Sequence, residues 1–187
     1  MKSLKPRTVY YRRKREQKTN YLRRRRQLVG GKPRFVVRFT NTRVIAQVIA
    51  FTVTGDTVIA AVDSTQLAKQ GWSYSLKNTP AAYLTGILLA RKAQKAGCTE
   101  AILDLGFKTP LTGSKIYAVL KGALDGGLQV PSGSEIAPSE ARLNGAHISS
   151  YVGKAKGTQF SQYLKNKVQS EQMASQVKTL AAKLIKA

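Results

Sequence analysis

Acidic residues are scarce in this chain, and so are the side chains from which most catalysis is built. Its 187 residues hold nine Asp and Glu, one His, one Cys and one Trp against 32 Lys and Arg, for a net charge of +23. The single cysteine, Cys98, excludes an internal disulfide and suits a reducing compartment. Cys98 and His147, each alone of its kind, make no nucleophile–base pair unless the fold brings them together, and no Cys/His spacing holds zinc. No apolar run approaches the roughly 18 residues that a membrane span requires. Nor does an apolar stretch follow the N-terminal charges, as it would in a secretory signal. A basic cytosolic or nucleoplasmic protein remains, with nucleic acid the first expected partner and an anionic membrane surface the second.

Two catalytic readings fail on spacing. The stretch GFKTPLTGSK resembles a phosphate loop only superficially: six residues separate Gly106 from Gly113 where four are required, and Gly-Ser stands in place of Gly-Lys. Asp63, Asp104 and Asp125 at strand ends and on a helix suggest a two-metal nuclease. Such a site also wants a carboxylate on the first strand, and RFVVRFT (34–40) has none. Asp63 as a helix cap and Asp104 as a strand-end residue are the simpler roles. No metal, cofactor or small-molecule substrate is expected.

The cations are unevenly placed. Residues 1–34 hold fourteen Lys and Arg and one acid, Glu16; residues 35–150 are nearly neutral; residues 151–187 carry +6. Like-charge blocks of this kind mark arms that meet a polyanion. No Pro or Gly interrupts 8–29, and Gly30-Gly31-Lys32-Pro33 follows, so one helix with a clear terminator is expected. Its apolar seam (Tyr11, Tyr21, Leu22, Leu28) is thin. The like-charge pairs Arg12–Arg15, Lys14–Lys18, Arg15–Lys18 and Arg23–Arg26 cost about 1–2 kcal/mol together, at about 0.2–0.5 kcal/mol each. Such a helix needs an anionic partner to complete it. Tyr10, Tyr11 and Tyr21 among the cations offer faces on which bases stack. A membrane-surface helix would need a broad apolar face opposite the basic one, and the seam is too narrow.

Beyond Pro33 the pattern changes period. RFVVRFT, RVIAQVIAFTV (43–53) and TVIAAVD (57–63) read as three strands of an antiparallel meander, turning at Asn41-Thr42 and at Thr54-Gly55-Asp56. Asp63-Ser64 starts a short helix. Thr79 caps a longer one with Pro80 in its first position and Gly97 as its end. EAILDLG is a short buried strand, and a helix runs from Ser114 to Gly126-Gly127 with Ile116, Val119, Leu120, Ala123 and Leu124 on one side. The expected fold is mixed α/β: a basic N-terminal helix, the meander, then helix–strand–helix on a mixed sheet, with a helical C-terminal extension. Expected boundaries are a basic arm (1–33), an α/β core (34–130), an irregular linker (131–157) and a basic amphipathic tail (158–187). The tail carries two apolar patterns: Phe160, Tyr163, Leu164 and Val168, then Met173, Val177, Leu180 and Leu184. Within the first hairpin, Arg38, Thr40, Arg43 and Gln47 interrupt the apolar pattern around Asn41. The arginines suit phosphates, while Asn41 and Gln47 suit sugar or base edges.

The stretches VRFTNTRVIAQV, YLTGILLARKA, LTGSKIYAVLKGALDGGLQVP and GAHISSY, in this order, resemble the signatures of a family of large-subunit ribosomal proteins that bind 5S ribosomal RNA. Its members are numbered eighteen in archaeal and bacterial naming and five in eukaryotic naming. RRKREQKTNYLRRRRQL is similar to that family's N-terminal segment and QFSQYLKNKVQSEQM to the C-terminal extension of its eukaryotic form; the long arm with the GAHISSY and QFSQYLKN elements indicates an archaeal-type member. The resemblance implies a place in the cytoplasmic ribosome, in the central protuberance. There the protein joins 5S to large-subunit ribosomal RNA beside neighbouring ribosomal proteins. It further implies RNA contacts from the arm (Tyr10, Tyr11, Arg12, Arg13, Lys14, Arg15, Lys18, Tyr21, Arg23, Arg24, Arg25, Arg26), with Lys32 and Arg34 following. The hairpin (Arg38, Thr40, Asn41, Arg43, Gln47) and the loop ending in Ser114 and Lys115 complete the expected surface.

Overall fold

The computed structural model describes residues 9–152, 154, 160, 163 and 170–186. Strands β1 (Arg34–Phe39), β2 (Val44–Thr52) and β3 (Gly55–Asp63) form the antiparallel meander, and β4 (Ile102–Asp104) adds to β1 in parallel. The sheet order is β3-β2-β1-β4. The first turn closes through Thr40, whose amide donates to the Arg43 carbonyl and whose hydroxyl accepts from the Arg43 amide, both at 3.0 Å. A bulge follows Val48. Alternation along β1 sends Phe35 and Val37 into the main core and leaves Arg34, Val36 and Arg38 for the opposite face.

Helices α3 (Thr65–Lys69), α4 (Thr79–Lys95) and α5 (Lys115–Asp125) follow the meander, and α4 and α5 cover the Phe35 face. The cap of α4 is Asn78 rather than Thr79: its Oδ1 accepts from the Ala81 amide at 2.8 Å, and Pro80 takes the second helical position. Thr and Asn stand side by side here, and Asn is the stronger cap. Helices α4 and α5 touch backbone to backbone. A methyl group at Gly86 would enter the Val119 carbonyl, and one at Gly122 would enter that of Tyr83.

Two further expectations need correction. The arm is not one helix but two, α1 (Arg12–Arg15) and α2 (Tyr21–Val29), separated at Gln17, whose φ is +52°. The break disperses the cation row and lets Asn20 cap α2 by accepting from the Arg23 amide. The described part of the expected irregular linker holds a 3₁₀ turn (Ser134–Ile136), α6 (Glu140–Leu143) and α7 (Ala146–Val152). The expected C-terminal helix is present as α8 (Met173–Lys186), docked on the body. Its stripe of Met173, Val177, Leu180 and Leu184 is buried against Leu67, Trp72, Tyr74, Ala81, Leu84 and Ile87, a second core on the outer side of α4. Four such side chains represent about 6–12 kcal/mol of gross burial. The earlier tail pattern lies mostly outside the described residues. Of it, Phe160 and Tyr163 are described, and Tyr163 meets Tyr74 edge-on at 5.8 Å.

Candidate nucleic-acid interface

The face of the sheet away from α4 and α5 carries the polar side chains of β1, and α2 lies over it. The anchor is Asp104 at the end of β4, which is buried. Its Oδ2 accepts from Arg34 Nη1 at 2.9 Å, and its Oδ1 accepts from Arg38 Nη2 at 3.1 Å and from the Gly106 amide at 2.8 Å. Burial pushes the Asp104 carboxyl up, but the Arg38 charge, the Gly106 amide and the Arg34 hydrogen bond outweigh it and hold the group below the usual carboxylate range. Gly106 sits at φ +60°, where a side chain is strained, and a Cβ there would lie 2.9 Å from the Arg38 guanidinium carbon, so that Arg38 would have to shift.

A second carboxylate, Asp56 in the β2–β3 turn region, ties the arm to this base. It accepts from Arg24 at 2.8 Å and from Arg34 at 2.7 Å. Arg23 donates to the carbonyls of Gly106 (3.1 Å) and Lys108 (3.4 Å), and Gln27 donates to Leu103 at 2.9 Å. One side of α2 is therefore held to the body, leaving Arg25 and Arg26 exposed on the helix. Between arm and sheet lies a cleft of about 230 Å³ lined by Arg13, Lys18, Arg23, Arg24, Arg34 and Arg38, with Gln47, Asp56 and Asp104. Six cations against two carboxylates leave a positive surplus facing the opening.

The expected site residues separate into groups. Tyr10, Tyr11, Arg12, Arg13, Lys14, Arg15 and Lys18 are exposed on or beside α1. There Tyr11 packs on Tyr21 at 5.4 Å between ring centres, and Lys14 Nζ lies 3.7 Å above the Tyr10 ring. Asn41 and Arg43 are exposed at the hairpin tip, Arg43 paired with Asp63 at 3.0 Å. Arg38 and Gln47 stand lower, in the cleft. Lys32 pairs with Glu100 while staying exposed. Arg34 is a correction: at 5% exposure, with both amino nitrogens in ion pairs, it is the strut under the site and not a phosphate grip. Thr40 is spent within the turn, and the Ser114 hydroxyl is buried without a partner. Sequence reasoning missed Asn20, Gln27, Asp56 and Gly106, which position the arm; of these only Asn20, a cap type ahead of a basic run, carried a readable signal.

The carboxylates that suggested metal chemistry are each matched separately. Asp104 holds Arg34 and Arg38, Asp63 holds Arg43, and Asp125 accepts from Lys121 at 2.7 Å and from the Tyr83 hydroxyl at 2.9 Å. Cys98 is buried, and burial pushes its thiol up, away from reactivity. No described helix is long and apolar enough to cross a membrane.

A small α/β body whose carboxylates are used to brace a cationic arm has the build of a structural nucleic-acid-associated protein rather than an enzyme. Residues 6–100 and 93–133 match the model of the ribosomal large-subunit proteins 60S L5 and 50S L18. Proteins described as large ribosomal subunit protein uL18 are similar over most of their length. That of Korarchaeum cryptofilum is 48% identical over 93% of this chain and 94% of its own, and that of Caldivirga maquilingensis 41% identical over 95% and 89%. That of Methanoregula boonei is 47% identical over 79% and 84%. The chain belongs to this family, as an archaeal-type member, and is a structural constituent of the large ribosomal subunit.

Proposed function

We propose that the chain binds 5S ribosomal RNA through its arm and first hairpin and anchors it to the large-subunit ribosomal RNA in the central protuberance. The observation that carries this reading is the one-sided anchoring of α2. Arg23, Arg24 and Gln27 hold it to the sheet while Arg25, Arg26 and the exposed cations around α1 face outward. A row of cations on a fixed support meets a phosphate backbone with less ordering cost than a free arm would. Tyr10 and Tyr11 add stacking faces, and Asn41 and Arg43 at the hairpin tip add donors and acceptors for sugar and base edges. Arg38 and Gln47 extend the same surface into the cleft.

Binding on these terms is driven largely by counter-ion release. For six to eight neutralised phosphates, log K falls against log salt with a slope of about −4 to −7. Titration of purified 5S RNA with the full chain at several salt concentrations is expected to give that slope. Arg25→Gln with Arg26→Gln should flatten it by about 2. Binding that ignores salt, or a double variant with the slope of the parent, would move the RNA site away from the arm.

A further inference from the structure

One of the nine acids of the chain stands where it opposes the expected partner. Asp56 lines the cleft between arm and sheet, and a carboxylate beside a surface that gathers phosphates repels them. Its place in the fold shows what it does instead. In the sheet order β3-β2-β1-β4, Asp56 lies near the start of the outer strand β3, paired with Phe51. Leu103 lies on β4 at the opposite edge, with Gly106 and Lys108 just beyond it. Three strand spacings put the two edges about 14 Å apart, and α2 reaches both. Toward β4 it makes three hydrogen bonds, from Arg23 to the Gly106 and Lys108 carbonyls and from Gln27 to that of Leu103. Toward β3, among the described residues, its hydrogen bond is the Arg24–Asp56 pair at 2.8 Å.

Arg23 and Arg24 point about 100° apart around the helix axis. Holding them at opposite edges fixes how α2 is turned about that axis, and the same turn aims Arg25 and Arg26 outward. Anchors at the β4 edge alone would leave the helix free to roll. Asp56 is itself held firmly: its other oxygen accepts from Arg34 at 2.7 Å, Arg34 pairs with Asp104, and Asp104 with Arg38. Arg24, Asp56, Arg34, Asp104 and Arg38 thus alternate in sign from the arm to the middle of the sheet, through the buried pair Arg34–Asp104. We propose that Asp56 is a positioning residue for RNA binding: by holding Arg24 it sets the rotation of α2, and its removal weakens binding although the surface becomes more positive. This deepens the reading of the arm as the RNA-binding element and rests on it. In this arrangement Arg24 is a strut of the arm, and its charge is already met by Asp56 before RNA arrives.

The test sets two effects of opposite sign against each other. Asp56→Asn removes a negative charge, which by Coulomb attraction alone tightens binding to RNA, whereas a released α2 weakens it. Against purified 5S RNA at one fixed salt concentration, the full-length Asp56→Asn variant is expected to bind about three- to tenfold more weakly than the parent, since one or two side chains must be ordered anew. In an Arg24→Gln background no latch is left to release, so adding Asp56→Asn is expected to leave the affinity unchanged or to tighten it about twofold. Weaker binding in both backgrounds makes Asp56 a folding residue and overturns the proposal, as does tighter binding by the single variant. In the free chain, tryptic cleavage after Arg23 is expected to be faster in Asp56→Asn; cleavage at the parent rate overturns the latch. Should Asp56→Asn fail to fold, Arg24→Gln carries the test. It is expected to weaken binding with the slope of log K against log salt unchanged, while Arg25→Gln flattens that slope by about 1. An Arg24→Gln slope flattened by about 1 would make Arg24 a direct phosphate contact and overturn the proposal. An Arg25→Gln/Arg26→Gln variant with the parent slope overturns the arm reading and the latch with it; a flattened slope there, beside parent affinity for Asp56→Asn, overturns the latch alone.

Discussion

At the scale of single residues, Asp104 decides how the arm is presented. It is one of the few acids in a chain of excess cations, and it is buried between two arginines, one of them itself nearly inaccessible. Breaking a buried pair by removing one partner costs far more than the pair contributes, because the remaining charge is stranded. Asp104→Asn is therefore expected to lower stability by about 3–5 kcal/mol at neutral pH, measured by urea unfolding. The pH dependence has a definite sign. A carboxyl held below its ordinary value contributes stability above about pH 4, and that contribution is lost as pH falls through the folded-state value. The difference between parent and Asp104→Asn should thus shrink on acidification below about pH 4. A difference that is small at pH 7, or constant down to pH 3, would show that Asp104 is not the anchor.

At the scale of elements, periodicity carried the strands and the longer helices. The alternation of Phe35 and Val37 with Val36 and Arg38 gives both β1 and its two faces, with Phe35 and Val37 in the main core and Arg38 in the cleft on the other side. The sequence favours one continuous helix over the arm because uninterrupted helix formers outweigh the cap signal of Asn20, and the like-charge repulsion that opposes it does not say where the break falls. The close packing of α4 on α5 is hidden for another reason: it depends on where the two helices meet in space, and nothing in either apolar pattern encodes that. What does encode it is the pair Gly86 and Gly122, each occupying the space where the other helix's backbone passes. Gly122→Ala is expected to force the helices apart at a cost of at least about 1–3 kcal/mol, read as a lower urea midpoint with an unchanged m-value. If alanine there is neutral, the close approach of the helices is wrong.

At the scale of the whole molecule, the charged ends differ in kind. The arm is attached by ion pairs and a few hydrogen bonds to carbonyls, which salt weakens, whereas α8 is attached by a dry apolar stripe, which salt does not weaken. Its basic residues Lys178, Lys183 and Lys186 thus ride on a helix whose position is set by packing and whose outward face is free to meet other components of the subunit. That makes the C-terminal helix part of the folding unit even though the expected linker and tail separate it from the core in sequence. The reason lies on α4, which is apolar on two sides: Ala82, Leu89, Ala90 and Ala93 belong to the main core, and Ala81, Leu84 and Ile87 share the second core with Leu67, Trp72, Tyr74 and the stripe of α8. Truncating a buried leucine of α8 should then be felt globally. Leu180→Ala is expected to cost about 2–5 kcal/mol, and the loss should be the same whether unfolding is followed by the Trp72 fluorescence beneath α8 or by far-ultraviolet circular dichroism of the whole chain. An early, separate Trp72 transition, with the circular dichroism midpoint unmoved, would instead make α8 a detachable limb whose docking contributes nothing to the sheet.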